Sequence, residues 1–541
     1  MKKILIASVA LIAAAAAHAA PPADLQQRLD ALVKGSPGGA AVAWVDADGA
    51  VYFQSGTFSS DDPRPITADT QFELGSVSKV FTALLLAQSE REGRVLRLDP
   101  AARYLLAPGD PDLAALSKIT LLTLTTHTSG LPRLPSNIGP NPDGNPDPYA
   151  KYDRAMLVEA LRRDGKVAPT GDSMAYSNFG AAVLGEALAS AWGVSYAEAL
   201  TTHVLSPLGM RATSVGLAGL PPPANLAPGH SGGATVPNWT FQAFAPAGAV
   251  RSSARDMALF LQAFLGKGGE RLRPAMEATL QPQHTADDVG GHIGLGWLID
   301  DDERPVYWHN GATAGSHTFV AFRPATGIAV AILSNIQVSS EALGFSLLGA
   351  TPPKPKIDRV VDTQAYVGRY SLSPAFAVDI TAANGILRVQ ATGQSQLGMR
   401  PVSPDRFAIV GVPAEISFER DGSGRVVALV LHQNGANQRA PRGDLPPPPA
   451  EIELPAKTLR EYEGSYPLNP SFVITVSEKG GGLYAQATGQ PGFQVFASAK
   501  DEFFYKIVNA QISFQRDASG RVTGLVLHQN GRNLPAKKAA D

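Results

Sequence analysis

The 541-residue sequence contains no cysteine. Disulfides, thiolate zinc sites and a lipid-modified N-terminal cysteine are therefore excluded. It has little net charge, −2 from 46 basic and 48 acidic residues, so nothing in the charge balance points to nucleic acid or an anionic membrane as partner. No HEXXH motif and no His/Asp/Glu group with metal-ligand spacing is present, and neither a metal nor another cofactor is expected. Beyond the first twenty residues no apolar run is long enough to span a bilayer.

What is there begins with a leader. "MKK" is followed by the apolar "ILIASVALIAAAAA" and then "AHA" at 17–19, which places small residues around a cleavage point. Residues 1–19 read as a signal peptide, predicting a periplasmic or secreted chain with no stable membrane insertion after cleavage.

The chain is too long for one core, and proline-rich stretches at 351–356 ("TPPKPK") and 445–455 ("LPPPPAEIELP") divide it. The expected organisation is a domain at 20–350 followed by two small units at 357–442 and 453–538. These two units are copies. "ATGQ", "LVLHQNG" and "ISFERDGSGRV" recur, the last as "ISFQRDASGRV", at a constant offset of 96 residues. Short alternating runs between Gly, Asn and Asp turns predict an antiparallel barrel in each copy. His432 and His528 recur with their repeats and read as barrel-stabilising groups rather than ligands.

In the first piece, "AAVAWVDADGAVYFQSG" at 40–56 predicts a hairpin. A helix is expected to begin at Ser253, with Asp256 three residues on. Strands return as "LGWLID", "VYWHNG", "HTFVAFRP" and "IAVAILSN". Strands at both ends with helices between predict one antiparallel sheet closed by both ends of the domain and covered by helices, a multidomain α+β chain.

The chemistry centres on "FELGSVSKVF" at 72–81. Val77, Val80, Phe81, Leu84 and Leu85 give a helical period with one buried face, ending near Gly93. Ser76 falls in the first turn, where free N–H groups and the positive helix end face any oxyanion. Lys79 is one turn on, on the same side. Such a pair is either two polar residues on an ordinary helix or a nucleophile with its activator. Ser78 reads as a helix residue, and His127 as structural.

Two further motifs follow, "YSN" at 176–178 and "HNG" at 309–311. The order Ser-x-x-Lys, Tyr-x-Asn, basic-x-Gly resembles that of the penicillin-recognising serine hydrolases. "LLTLTTHTSGLP", "SPLGM" and "AGAVRSSARDMALF" are similar to segments of the class C β-lactamase-like family, over residues 25–340. The resemblance implies a β-lactamase/transpeptidase-like catalytic domain, an antiparallel sheet plus a helical subdomain with the active site between them. The tail resembles the eight-stranded, lipocalin-like barrels of D-aminopeptidase-related serine peptidases.

Roles implied by the resemblance attach to individual residues. Ser76 is the acylated nucleophile and Lys79 its activator. Tyr176 shares the proton transfer; an unperturbed phenol titrates near 10, so it needs Lys79 charged beside it. Whether Lys79 or Tyr176 is the base stays open. Asn178 bonds Lys79 or a substrate amide. The N–H groups of Ser76 and Ala312 form the oxyanion hole, and Gly311 leaves room for substrate along the strand. Classical β-lactamases have lysine where this chain has His309, a weaker, pH-dependent cation. That favours peptides or amides over β-lactams. The expected function is a metal-independent serine peptidase or amidase for short peptides, including D- or unusual residues; the related branch includes a peptidase for linearised microcystin. A carboxylesterase, a β-lactamase and a catalytically silent binding protein are the alternatives.

Overall fold

Apolar strands covered on both faces organise the first part of the chain. The computed structural model describes residues 20–539 apart from 47–48, 140–146, 167–173, 355–359, 361, 374–375, 384, 395, 404, 413, 434–435, 444–448, 470–471, 489–491, 507–509 and 530–531. The leader at 1–19 and parts of both proline-rich stretches lie outside the described residues. Contacts divide the chain into two units: residues up to 129 with 180–284 and 292–353, and residues 130–179 with 285–291 and 354–541.

The first unit is built on an eight-stranded sheet. Its strands include β1 (Gly39–Val45), β2 (Ala50–Gly56), β3 (Leu298–Asp300), β4 (Tyr307–Ala312), β5 (His317–Arg323) and β6 (Ile328–Ser334). They run in the order β2-β1-β6-β5-β4-β3, each pair antiparallel. The expected hairpin is β1–β2, with Val45 opposite Ala50. The expected closure by both ends of the domain is the β1–β6 ladder, where Ala40 pairs with Ser334.

Every residue of β1 is buried. A strand buried on both faces loses the polar alternation of a half-exposed one, which is why its sequence reads as a continuous apolar run. Cover comes from α1 (Leu25–Val33), which buries Leu25, Leu29 and Val33 along one stripe. The helix predicted from Ser253 is α3 (Ala254–Phe264), and the Ser253 side chain accepts from Asp256 N at 3.2 Å.

Between them in sequence is α2 (Ser78–Arg91), preceded by a 3₁₀ turn at Gly75–Val77. The helical spacing predicts one buried face. Instead every residue from Ser78 to Ser89 is buried. The polar residues on the unexpected sides are satisfied locally: Thr82 Oγ1 donates to Pro246 O (2.8 Å) and Ser89 Oγ to Leu85 O (2.7 Å). The helix ends at Arg91, and Gly93 takes a left-handed φ of 68° just beyond it.

The tail forms two nearly closed eight-stranded antiparallel barrels with strands in sequence order. The first runs from Gly368–Ser373 to Ala436–Pro441 and the second from Gly464–Asn469 to Arg532–Lys537. Alternation sorts side chains cleanly: Ile416 and Phe418 face one core, Ile512 and Phe514 the other. The repeated histidines clamp strands on each barrel. His432 meets Ser417 Oγ at 2.8 Å and Asn437 Oδ1 at 2.7 Å, tying three neighbouring strands, and His528 does the same with Ser513 and Asn533, at 2.7 Å each. Among the described residues no helix is long and apolar enough to cross a membrane.

Candidate active site

The short 3₁₀ turn fixes Ser76 ahead of α2, and the start of the helix then brings Lys79 back over it. Lys79 Nζ donates to Ser76 Oγ at 3.1 Å and to Ala247 O at 2.8 Å. Lys79 is 4% exposed, so this nitrogen sits out of bulk water against the hydroxyl it was expected to activate. Ser78 is structural as expected: its Oγ accepts from Val250 N at 2.9 Å, joining the helix start to the strand Val250–Ser253.

Strand β4 passes the same turn. Gly75 takes a φ of 51°, and a Cβ added there would stand 2.6 Å from Ala312 O and 2.7 Å from Ala312 N. Glycine is thus required at 75 both for its backbone conformation and for the approach of β4. Thr313 N donates to Ser316 O at 3.1 Å, so in the β4–β5 ladder the adjacent pair Ala312–His317 is the non-bonded one. The Ala312 N–H therefore points away from β5, on the side of Gly75 and Ser76. At Gly311 the space is tighter still. An added Cβ would fall on Leu74 O, and would lie 2.9 Å from Ser76 N. Ser76, Lys79, Gly311 and Ala312 come together as the motif order implies.

His309 lies on the same strand, 2% exposed, with its Nδ1 2.6 Å from Asn310 O. Burial first, and the Lys79 charge second, push its pKa down to about 3. The expectation of a pH-dependent cation at 309 is corrected here. The sequence supplies the residue type, but burial and the neighbouring Lys79 charge favour the neutral imidazole. With Nδ1–H donating to Asn310 O, Nε2 is the acceptor nitrogen.

The depressed pKa has a stability consequence. An unfolded histidine titrates near 6.5, so between about pH 6.5 and pH 3 the unfolded chain takes up a proton that the folded one refuses. Stability therefore falls as pH drops through this window, by an amount on the order of a few kcal/mol at its lower end. The expected result is that His309→Gln loses less stability than wild type between pH 7 and pH 4.5 in denaturant titrations. Parallel curves for the two proteins would contradict it.

A group unforeseen from sequence braces the turn. Glu73, 3% exposed, accepts from Thr313 Oγ1 at 2.7 Å, with Arg251 Nη2 at 3.9 Å. Burial raises the Glu73 pKa, opposed by the Thr313 hydrogen bond and the Arg251 charge. Thr318 Oγ1 donates to Leu74 O at 2.8 Å. The segments that carry Ser76 and Ala312 are thus cross-linked on either side. "FEL" and "GAT" contain Glu73 and Thr313, but nothing in their spacing joins positions 240 residues apart.

Tyr176 and Asn178 belong to the other unit. There the Arg133 guanidinium lies 5.2 Å from the centre of the Tyr176 ring, and Asn178 N donates to Arg133 O at 3.0 Å. Asn178 Oδ1 is buried with no hydrogen-bond partner among the described residues. His127 is buried with a left-handed φ of 58°.

A serine held one turn from a buried lysine, beside a strand whose amide faces the serine, is the arrangement of a serine hydrolase. Residues 25–345 match the Beta-lactamase family model, and the chain belongs to that family. Residues 448–538, in the second barrel, match a domain of unknown function, DUF3471. Relatives include penicillin-binding protein 4 of Amycolatopsis lactamdurans, 29% identical over 64% of this chain and 97% of that protein. Another is the D-alanyl-D-alanine-carboxypeptidase/endopeptidase AmpH of Escherichia coli, 28% identical over 61% and 90%. Among solved structures, the D-alanine carboxypeptidase AmpC of Burkholderia cenocepacia is 25% identical with a TM-score of 0.50, covering 60% of this chain and 97% of its own. SurE, at 21% identity and a TM-score of 0.53, covers 77% of this chain and 98% of its own and shares the fold.

Proposed function

We propose that this chain is an exported, metal-independent serine peptidase or amidase that cleaves short peptides, including those with D-residues, through an acyl-enzyme on Ser76. The observation that carries the reading is the 3.1 Å contact between the buried Lys79 Nζ and Ser76 Oγ. In this reading Ser76 Oγ attacks the substrate carbonyl while its proton passes to Lys79 or to Tyr176. The oxyanion is held by the N–H groups of Ser76 and Ala312. Collapse breaks the C–N bond, the held proton goes to the leaving amine, and water then cleaves the ester to release the acid and restore Ser76. Asn178 Oδ1, buried without a partner among the described residues, suits a substrate amide N–H.

Peptides are favoured over β-lactams because a neutral imidazole at 309 supplies no cation for a substrate carboxylate. The peptide-cleaving name of AmpH agrees with this preference. The test is to compare kcat/KM, with EDTA present throughout, on D- and L-aminoacyl anilides, short linear peptides, p-nitrophenyl esters and nitrocefin. Anilides and peptides are expected to lead. Nitrocefin in first place would make it a β-lactamase, and esters alone an esterase.

Tyr176→Phe separates the proton-transfer schemes. Loss of a general acid–base group should lower kcat by about 10²–10⁴-fold with little change in KM. Retention of most of kcat would leave Lys79 as the base by itself.

A further inference from the structure

The tail carries one fold twice, so each barrel is a control for the other. At the 96-residue offset, Tyr366, Asp405, Arg420 and Gly424 correspond to Tyr462, Asp501, Arg516 and Gly520. Both copies build the same polar edge. Arg420 Nε donates to Asp405 Oδ1 at 3.0 Å and Arg516 Nε to Asp501 Oδ1 at 2.8 Å. The Nη1 of each donates to the glycine carbonyl at 2.7 Å.

They differ in what lies against that arginine. In the second barrel, Arg516 Nη1 also donates to Glu461 Oε2 at 2.7 Å. The equivalent of Glu461 in the first barrel is Ala365. With no carboxylate to cover it, the Arg420 side chain is 33% exposed, against 15% for Arg516. A cavity of about 710 Å³ opens there, lined by Ala365, Arg420, Arg425 and Arg442 among others. Arg442 bonds only backbone carbonyls, those of Ala365, Val367 and Val426, so its charge has no carboxylate partner among the described residues. Asp405 and Asp421 already bind Arg420 and Arg425. One carboxylate, Asp362, lines the cavity and is exposed.

We propose that this cavity of the first barrel binds a small organic monocarboxylate, such as the terminal carboxylate of an N-acyl amino acid or short peptide. The ligand's oxygens take the place beside Arg420 that the Glu461 carboxylate fills beside Arg516 in the second barrel. A charge-assisted bond to Arg420 Nη1, in the field of Arg442, supplies the attraction. Asp362 opposes further negative charge and so disfavours phosphate or a dicarboxylate. The second barrel is closed to such ligands by its own glutamate. None of this depends on the reading of Ser76.

The full-length chain, ¹⁵N-labelled, is titrated with N-acetylalanine, N-acetylalaninamide and inorganic phosphate while amide shifts are followed. N-acetylalanine should move the signals of Gly424 and Val426 saturably; the amide should not, and phosphate should do so at least several-fold more weakly. Ala365→Glu, which copies a residue the sister barrel already accommodates, should abolish these shifts. Glu461→Ala should add a second set at Gly520 and Val522. Equal shifts with the amide, persistence in Ala365→Glu, or no second set in Glu461→Ala would each overturn the proposal.

Discussion

Ser76→Ala is expected to lower kcat by at least about 10⁴-fold, the scale on which nucleophile removal acts in serine hydrolases. The fold should survive. The lost hydroxyl takes one hydrogen bond, and Lys79 Nζ keeps its bond to Ala247 O at 2.8 Å. A stability change within about 1 kcal/mol follows from one net hydrogen bond. A peptidyl phosphonate should add its mass to the wild type and leave the variant unlabelled. Equal labelling of both, or a variant with most of its activity, would remove Ser76 from the chemistry and the proposed function with it.

The second large effect is steric. In Gly311→Ala the new methyl would meet Leu74 O, Thr318 Oγ1 at 2.8 Å and Ser76 N at 2.9 Å. The first and last are backbone atoms, so relief requires the Ser76 turn and β4 to part. Separation displaces the nucleophile and both oxyanion donors at once. A displacement of about 1 Å, or the loss of one donor, costs on the order of 10²-fold or more in rate. The expected result is a kcat at least about 10²-fold down, with phosphonate labelling slowed to match. A variant labelled at the wild-type rate would show that the turn absorbs the methyl without moving Ser76 Oγ.

How much was legible depended on the distance over which residues had to be related. Ser76 and Lys79 were readable because one helical turn joins them, and the structure adds only the 3₁₀ start. The closing of the sheet was readable because its two end segments are both strongly apolar. The barrels were readable because the repeat preserves alternation. The amphipathic reading of α2 failed for a tertiary reason: polar residues such as Thr82 and Ser89 found partners inside the fold, so polarity no longer marked a solvent face. The charge of His309 was illegible for a related reason, since desolvation belongs to the surroundings and not to the residue. Glu73 with Thr313 and Arg251 escaped because one buried carboxylate recruits partners from two distant segments.

The pairing of β1 with β6 also sets a timetable. A ribosome finishes Gly39–Val45 about 280 residues before it begins Ile328–Ser334. At typical synthesis speeds of about 5–20 residues per second, that gap is tens of seconds. Throughout it, β1 has only β2 beside it and presents an unpaired apolar edge. High contact order of this kind makes folding slow and leaves strands open to wrong partners. Completion of the sheet therefore waits for the far end of the unit, and a chain cut short before residue 328 is left with an open, adhesive strand.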